Sequence, residues 1–197
     1  MAVEHLVWID CEMTGLDTSA DALVEVACLV TDAELNVLGE GISVIIRPSQ
    51  EALDGMGDFV RGMHEKSGLL PLLAEGVDMA TAEQAVLAYV SEHVPAGKAP
   101  LAGNTVGMDK AFLERDMPAL IAHLHYRVVD VSSIKELVRR WYPRVFFNAP
   151  DKTGGHRALG DIRDSIRELK YYRETIFVAP PGPDSDAAKA AAAGLAP

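Results

Sequence analysis

The stretch "VWIDCEMTG", residues 7–15, ends an apolar run with two carboxylates, Asp10 and Glu12, separated by one cysteine. In a strand, residues two apart share a face, so Asp10 and Glu12 would stand side by side while Cys11 turns into the core. Neighbouring like charges repel. Either both acids sit solvated at a strand end, or a divalent cation with oxygen ligands lies between them. More acids recur at the ends of expected elements. Asp109 closes "GNTVGMD", residues 103–109, and Asp161 follows His156 in "HRALGD", residues 156–161. Five residues make ~1.4 helical turns, so His156 and Asp161 would point ~140° apart if both were helical. His156 is therefore expected in the preceding loop, where Gly154 and Gly155 allow it to swing toward whatever Asp161 holds. Taken singly, Asp109 reads as a first-turn acid favoured by the helix dipole, Asp161 as a solvated helix acid beside Asp164, and His156 as a loop residue without a task. The ordered combination is far more specific than any of its parts: D-x-E at a strand end, an Asp after "GN", then H-x₄-D.

The elements that must position these groups follow from apolar periodicity. Strands are expected at 4–10, 23–31 and 35–46, joined by links short enough for a meander. A less regular stretch, 48–76, holds a short helix around Gly57–Ser67. Thr81 and Gln84 have the spacing of a capping box, which starts a helix running to about His93. "APLAG", 99–103, reads as a short buried strand, 107–123 as a helix broken at Pro118, 126–131 as a strand and 132–141 as a helix. After a loop at 143–155, residues 157–177 form a long helix with apolar positions at Ile162, Ile166, Leu169 and Tyr171 or Tyr172. From Pro180 the composition shifts to Pro, Gly, Asp and Ala, so 180–197 reads as a flexible tail beyond a single domain at 1–179.

Composition narrows the classes. The chain has 197 residues, 49% apolar and 24% charged, which are globular values. It lacks an apolar run of ~18 residues, so no membrane span is expected. Two cysteines, Cys11 and Cys28, both in apolar segments, suit reduced core residues in a cytoplasm. Net charge is −11, from 29 acids against 18 bases. That weighs against a protein gripping long nucleic acid by its backbone, which needs several Lys/Arg–phosphate contacts. A short nucleotide held by metal ions and a few local contacts stays possible.

The order Asp10, Glu12, Asp109, His156, Asp161 resembles the DEDD exonucleases of the subtype with a catalytic histidine. Further stretches make the chain similar to the oligoribonuclease family, which degrades very short RNA. They are "WIDCEMTGL" at 8–16, "GNTVGMD" at 103–109, "YRVVDVSSIKEL" at 126–137 and "HRALGDIRDSIRELKYYRE" at 156–174. The resemblance implies an α/β, ribonuclease H-like fold: a mixed five-stranded sheet flanked by helices. It implies that Asp10, Glu12 and Asp161 hold one divalent ion, Mg²⁺ or Mn²⁺, that Asp10 bridges to a second, and that Asp109 helps hold the second through water. Two such ions ~4 Å apart stabilise the attacking and leaving oxygens of an in-line displacement. His156 would be the general base on the attacking water, because an imidazole ordinarily titrates near neutral pH. The product would be a nucleoside 5′-monophosphate released from the 3′ end.

The resemblance also implies substrate contacts. Leu16 would wedge beside the terminal bases, and Phe59, where the family often has tryptophan, would offer a stacking surface. His64 would reach the sugar–phosphate, and Asn104 and Thr105 would position the strand near the scissile group. Tyr126, Arg127, Ser132 and Ser133 would come from a second copy of the chain and cap the 5′ end, making a homodimer. On the residues alone, Leu16 and Phe59 read equally well as core, Tyr126 as a strand-edge core residue and Arg127 as a surface charge. His123 and His125 have strand-pair spacing, but nothing else supports a metal site there. The expected partners are short RNA oligonucleotides and a second copy, with no membrane and no long duplex. Two competing readings are an exonuclease on longer substrates, disfavoured by the acidic balance, and a silent oligonucleotide-binding module, disfavoured by five filled catalytic positions.

Overall fold

The computed structural model describes residues 4–153 and 155–195. Three antiparallel strands, β1 (Leu6–Met13), β2 (Leu23–Thr31) and β3 (Val37–Ile45), form the expected meander. Two short helices follow, α1 (Gln50–Gly55) and α2 (Asp58–Lys66), then a 3₁₀ turn at Leu70–Glu75 and helix α3 (Met79–His93). Strand β4 (Pro100–Gly103) returns parallel to β1, and helices α4 (Gly107–Asp116) and α5 (Pro118–His123) lead to β5 (His125–Asp130), parallel to β4. Helices α6 (Val131–Trp141), α7 (Pro143–Phe147), α8 (Ala158–Thr175) and α9 (Ser185–Ala193) complete the chain. The sheet order is β3-β2-β1-β4-β5, so β1 lies at its centre. The mixed five-stranded sheet is the one expected.

Alternation along β1 sorts its side chains. Val7, Ile9 and Cys11 join the core under α3, α4 and α5, together with Val86, Val90, Phe112 and Leu113. Trp8 faces the other way, into the core made with α6 and α8 through Val138, Ile162, Ile166, Leu169 and Tyr172. Its indole Nε1 donates to Thr31 Oγ1 at 3.0 Å. Asp10 and Glu12 continue Trp8's face, so they point toward the first turn of α8, and Cys11 turns into the opposite core as expected. Strand β2 is buried along its whole length, and its sequence is apolar apart from Glu25 and Thr31. Gly103, at the end of β4, permits the close strand approach: a Cβ there would meet the Ile9 carbonyl oxygen at 3.0 Å.

Several boundaries differ from expectation for local reasons. Strand β1 runs on to Met13, so both acids lie within it, ahead of a register break between Glu12 and Met13. Helix α3 starts at Met79: Asp78, not Thr81, is its N-cap, accepting from the Thr81 backbone N at 2.9 Å. The expected loop at 143–155 opens with α7, started by Pro143. Pro118 does divide α4 from α5. Beyond Pro180, Asp184 caps the alanine-rich α9, which has no buried residue. Residues 1–3 of the expected domain, Gly154 of the expected hinge and residues 196–197 of the expected tail lie outside the described residues. Among the described residues no helix is long and apolar enough to cross a membrane.

One buried ionic contact joins sheet to helix. Glu25, in β2 and opposite Glu12 in the register, is 1% exposed. It accepts from Ser43 Oγ at 2.6 Å and from Arg157 Nε and a terminal guanidinium nitrogen at 3.2 and 3.1 Å. Arg157 is the N-cap residue of α8, so this contact fixes where the helix begins. Arg157→Ala would strand a buried carboxylate and is expected to destabilise the fold by about 3 kcal/mol. Adding Glu25→Gln should restore part of that loss. Denaturant unfolding of the two single variants and the double variant measures both; a double variant no more stable than Arg157→Ala would refute the assignment.

Candidate active site

Strand β1 and the first turn of α8 bring three acids together. Ligand oxygens of Asp10, Glu12 and Asp161 all lie within 4.8 Å of one another. Asp10 is pushed up to about 9, chiefly by burial and then by Asp109, Asp161 and Glu12. Glu12 is pushed up to about 8 by burial, then by Asp161, Glu25 and Asp109, with Arg157 opposing. Asp161 is also raised by burial, against the fields of Lys152 and His156. Carboxylates this crowded hold protons unless a positive charge replaces them. An all-oxygen donor set of this kind fits a hard divalent cation.

Asp109 joins from the first turn of α4. Its Oδ1 accepts from the Cys11 backbone N at 2.9 Å, which ties the helix to β1 between the two β1 acids. Burial raises it to about 6, with the hydrogen bond from Cys11 pulling the other way. It stands near Asp10 but outside the tight three-acid group. His156 lies two residues before α8, as the spacing required, with φ at +58° and Gly155 at +67°. Left-handed backbone is uncommon for a residue with a side chain, so the loop holds His156 in a specific pose.

Asp10, Glu12, Asp161 and His156 line a cleft of about 780 Å³, the size of a small-ligand site, whereas Asp109 stands behind its lining. Asn104, Thr105 and Ser132 also line it, as do Lys135, Lys152 and Ser165. Asn104 is consumed by the wall: it donates to Ser165 Oγ at 2.8 Å and Glu168 Oε2 at 3.2 Å, and accepts from Ser132 Oγ at 3.0 Å. Thr105, with φ at +56°, shares a hydroxyl contact with Ser132 at 3.0 Å. The Lys135 ammonium sits 2.9 Å from Glu168, and Tyr172 donates to the same carboxylate at 2.8 Å. This chain of contacts binds β4, α6 and α8 into one wall.

Other expected contacts lie elsewhere. His64 is fully buried rather than at the cleft surface. Its Nε2 donates to the Met13 carbonyl at 2.8 Å, and its Nδ1 faces Glu12 at 3.9 Å without a hydrogen bond. It therefore backs Glu12, which lines the cleft while His64 does not. Leu16 and Phe59 are 69% and 85% exposed, which rules out the core role for both. Tyr126 and Arg127 are exposed on the edge strand β5, the guanidinium 5.5 Å from the Tyr126 ring centroid, and neither lines this chain's own cleft. Ser133 is exposed outside it, whereas Ser132 is in it. The sequence reading missed Glu25, Arg157, Lys135 and Lys152. Arg157 and Lys152 flank a candidate base within four residues, which is the one local signal they carried; Glu25 is 132 residues from its partner.

Residues 7–169 match the exonuclease family model RNase_T. The oligoribonuclease of Streptomyces avermitilis is 64% identical over 191 residues, covering 96% of both chains. That of Rhodococcus jostii is 58% identical over 196 residues, covering 98% of both. Among solved structures, exonuclease I from Methylocaldum szegediense superposes with a TM-score of 0.64 at 20% identity, covering 88% of this chain and 41% of that one. The zinc-bound E. coli exonuclease I–single-stranded DNA complex gives 0.67 at 17% identity, again covering 88% and 41%. This chain spans less than half of those longer proteins, and the likeness to them is one of fold, the ribonuclease H-like sheet. By the family match over most of its length and the identity to relatives of its own size, the chain belongs to the exonuclease family, in its oligoribonuclease branch.

Proposed function

We propose that the protein is a divalent-metal-dependent 3′-to-5′ exoribonuclease that removes nucleoside 5′-monophosphates from very short RNA, dinucleotides especially. The observation that carries this reading is the group of Asp10, Glu12 and Asp161 in one cleft with His156. Those three acids would hold the first cation, Mg²⁺ or Mn²⁺, with Asp10 shared toward a second and Asp109 supporting the second through water. Bound there, two cations supply the charge that stabilises the attacking and leaving oxygens. The chain's own groups do the rest. The His156 imidazole takes the proton of the attacking water. Thr105 and Ser132 offer hydroxyls to the substrate, and Leu16 and Phe59 present exposed apolar faces to its bases. Arg127 and Tyr126, exposed on an unpaired strand edge, fit a cap delivered to the cleft of a second copy. Val128, Leu137, Trp141 and Phe147, also exposed on β5, α6 and α7, give that copy an apolar face to cover. Two buried free cysteines suit the cytoplasm.

Turnover of a labelled dinucleotide and of a 20-mer, with Mg²⁺ and with EDTA, tests the reading. The dinucleotide should be cleaved far faster, and only with metal. Asp10→Asn, Glu12→Gln and Asp161→Asn should each nearly abolish cleavage, and His156→Ala should lose ~10²–10⁴ in rate while retaining metal binding. Near-normal turnover by Asp10→Asn would sink the mechanism.

The raised acids also fix a pH dependence. A carboxyl that titrates near 9 when folded and ~3.9 when unfolded binds its proton more tightly in the fold. Its contribution is fully present below the unfolded value and is lost as pH rises toward 9. The melting temperature of metal-free protein should therefore fall between pH 5 and 9, and less steeply in Asp10→Asn. Mg²⁺ or Mn²⁺ should raise it more at pH 8 than at pH 5.5, where protons compete for the same oxygens. Equal metal stabilisation at the two pH values would contradict the placement of the cation.

A shared site predicts complementation. Asp10→Asn and Arg127→Ala, each inactive on dinucleotides, should regain partial activity when mixed under subunit exchange, because one site of the mixed dimer keeps intact ligands and an intact cap. No activity despite confirmed exchange, or a fully active stable monomer, would overturn the dimer.

A further inference from the structure

We infer that Lys152 binds the phosphodiester in the cleft, presented to it by a clasp that Asp164 and Arg167 place on the loop before His156. The inference deepens the exoribonuclease reading and rests on it for the identity of the ligand. Two lysines line the cleft, Lys135 and Lys152. Lys135 is engaged by Glu168 at 2.9 Å. Lys152 forms no ion pair among the described residues, yet its charge acts on Asp10 and Asp161, lowering both. Lys152 thus lines the same cleft as the carboxylates that the scissile group would meet.

The backbone on both sides of Lys152 is fastened to α8. The Arg167 guanidinium donates to the Asp151 carbonyl, and the Thr153 backbone N donates to Asp164 Oδ2. Thr153 Oγ1 adds a bond to Asp164 Oδ1 at 3.0 Å, and Arg167 pairs with the same Asp164 carboxylate at 2.8 Å. Asp164 is almost fully buried, so the clasp is part of the packed helix. It lies one turn after Asp161 on the same helix, so Lys152 and a cation-holding acid share one rigid frame. A lysine ammonium is a compact point charge with three donors, suited to a diester oxygen turned away from the cation. Lys152 is exposed at the cleft without a carboxylate partner among the described residues, so its charge is open to an anion from outside.

The competing role is charge balance for the three acids, and the two roles differ in the sign of one measurement. Removing a balancing charge near metal ligands changes metal affinity; removing a phosphate contact changes nucleotide affinity. The probe is a dinucleotide whose bridging 3′ oxygen is replaced by a methylene, which keeps the charge and resists cleavage. In Mg²⁺, Lys152→Gln should weaken its binding about tenfold or more, and Lys152→Arg should stay within about threefold of wild type. Mn²⁺ affinity without nucleotide should be unchanged or tighter in Lys152→Gln. Arg167→Ala, which opens the clasp, should weaken the analogue in the wild-type background and add nothing in Lys152→Gln. Equal analogue affinity in wild type and Lys152→Gln, or a loss explained entirely by weaker Mn²⁺ binding, would overturn the contact while leaving the exoribonuclease reading intact. A wild type that binds the analogue but leaves the natural dinucleotide uncleaved would overturn that reading and leave the contact standing; a wild type that does not bind the analogue would overturn both.

Discussion

Three carboxylates within 4.8 Å of one another must be held there against their own repulsion. At an effective dielectric near 20, two unit charges ~5 Å apart repel by about 3 kcal/mol. Opposing this, α8 buries Ile162, Ile166, Leu169 and Tyr172 against the sheet, worth on the order of 10 kcal/mol in total. Packing is thus comparable to the sum of three such repulsions, and the balance is tipped by two further devices. Asp10 and Glu12 hold their protons more tightly than free carboxyls, being pushed up to about 9 and about 8. Arg157, paired with Glu25, also pulls Glu12 down, so one guanidinium both seats the helix and tempers the acid. A bound divalent cation would replace those protons without moving either element.

The site divides into a stiff part and a hung part. The acids sit on a central strand and on the first turn of packed helices, the most rigid places the fold offers. The wall through Ser132, Asn104, Ser165 and Glu168 locks β4, α6 and α8 to each other. His156 and Lys152 instead belong to the loop between α7 and α8, fastened on both sides of Lys152 by Asp164 and Arg167. Groups that hold ions gain from fixed spacing, whereas groups that follow a reacting water or phosphate gain from a short tether. The same helix supplies both, because Asp161, Asp164 and Arg167 succeed each other at three-residue steps along it.

What could be read from the sequence was what period and adjacency encode. The i, i+2 spacing placed Asp10 and Glu12 on one face and Cys11 on the other, and the i, i+4, i+7 pattern of α8 named its buried residues. Thr81 misled because its hydroxyl and backbone both bond to Asp78, three residues earlier, so the box-like spacing marks the first turn and not its cap. Helix α7, five residues long, is shorter than any periodic window. Glu25 looked like one polar residue in an apolar strand, since its partner is fixed only by the register of β1 on β2 and the docking of α8. His64 is expected at the substrate by resemblance alone, and its burial and its 3.9 Å approach to Glu12 depend on packing between α2 and β1 that no local pattern encodes.

Length selection follows from the same charge arithmetic. The chain carries eleven more acids than bases, so a polyanion approaching its surface meets repulsion that grows with each phosphate outside the cleft. Inside, the proposed cations, Lys152 and the Arg127 proposed to come from a second copy would invert the sign locally. Binding energy would therefore be concentrated on the one or two phosphates inside the cleft. A dinucleotide has few rotatable bonds to order on binding and can use nearly every contact such a pocket offers. A longer strand has the same contacts available and more phosphates to leave exposed to an acidic surface. Preference for short substrates would then follow in part from where the positive charges stand in the cleft, beside the limit set by the cap proposed for a second copy.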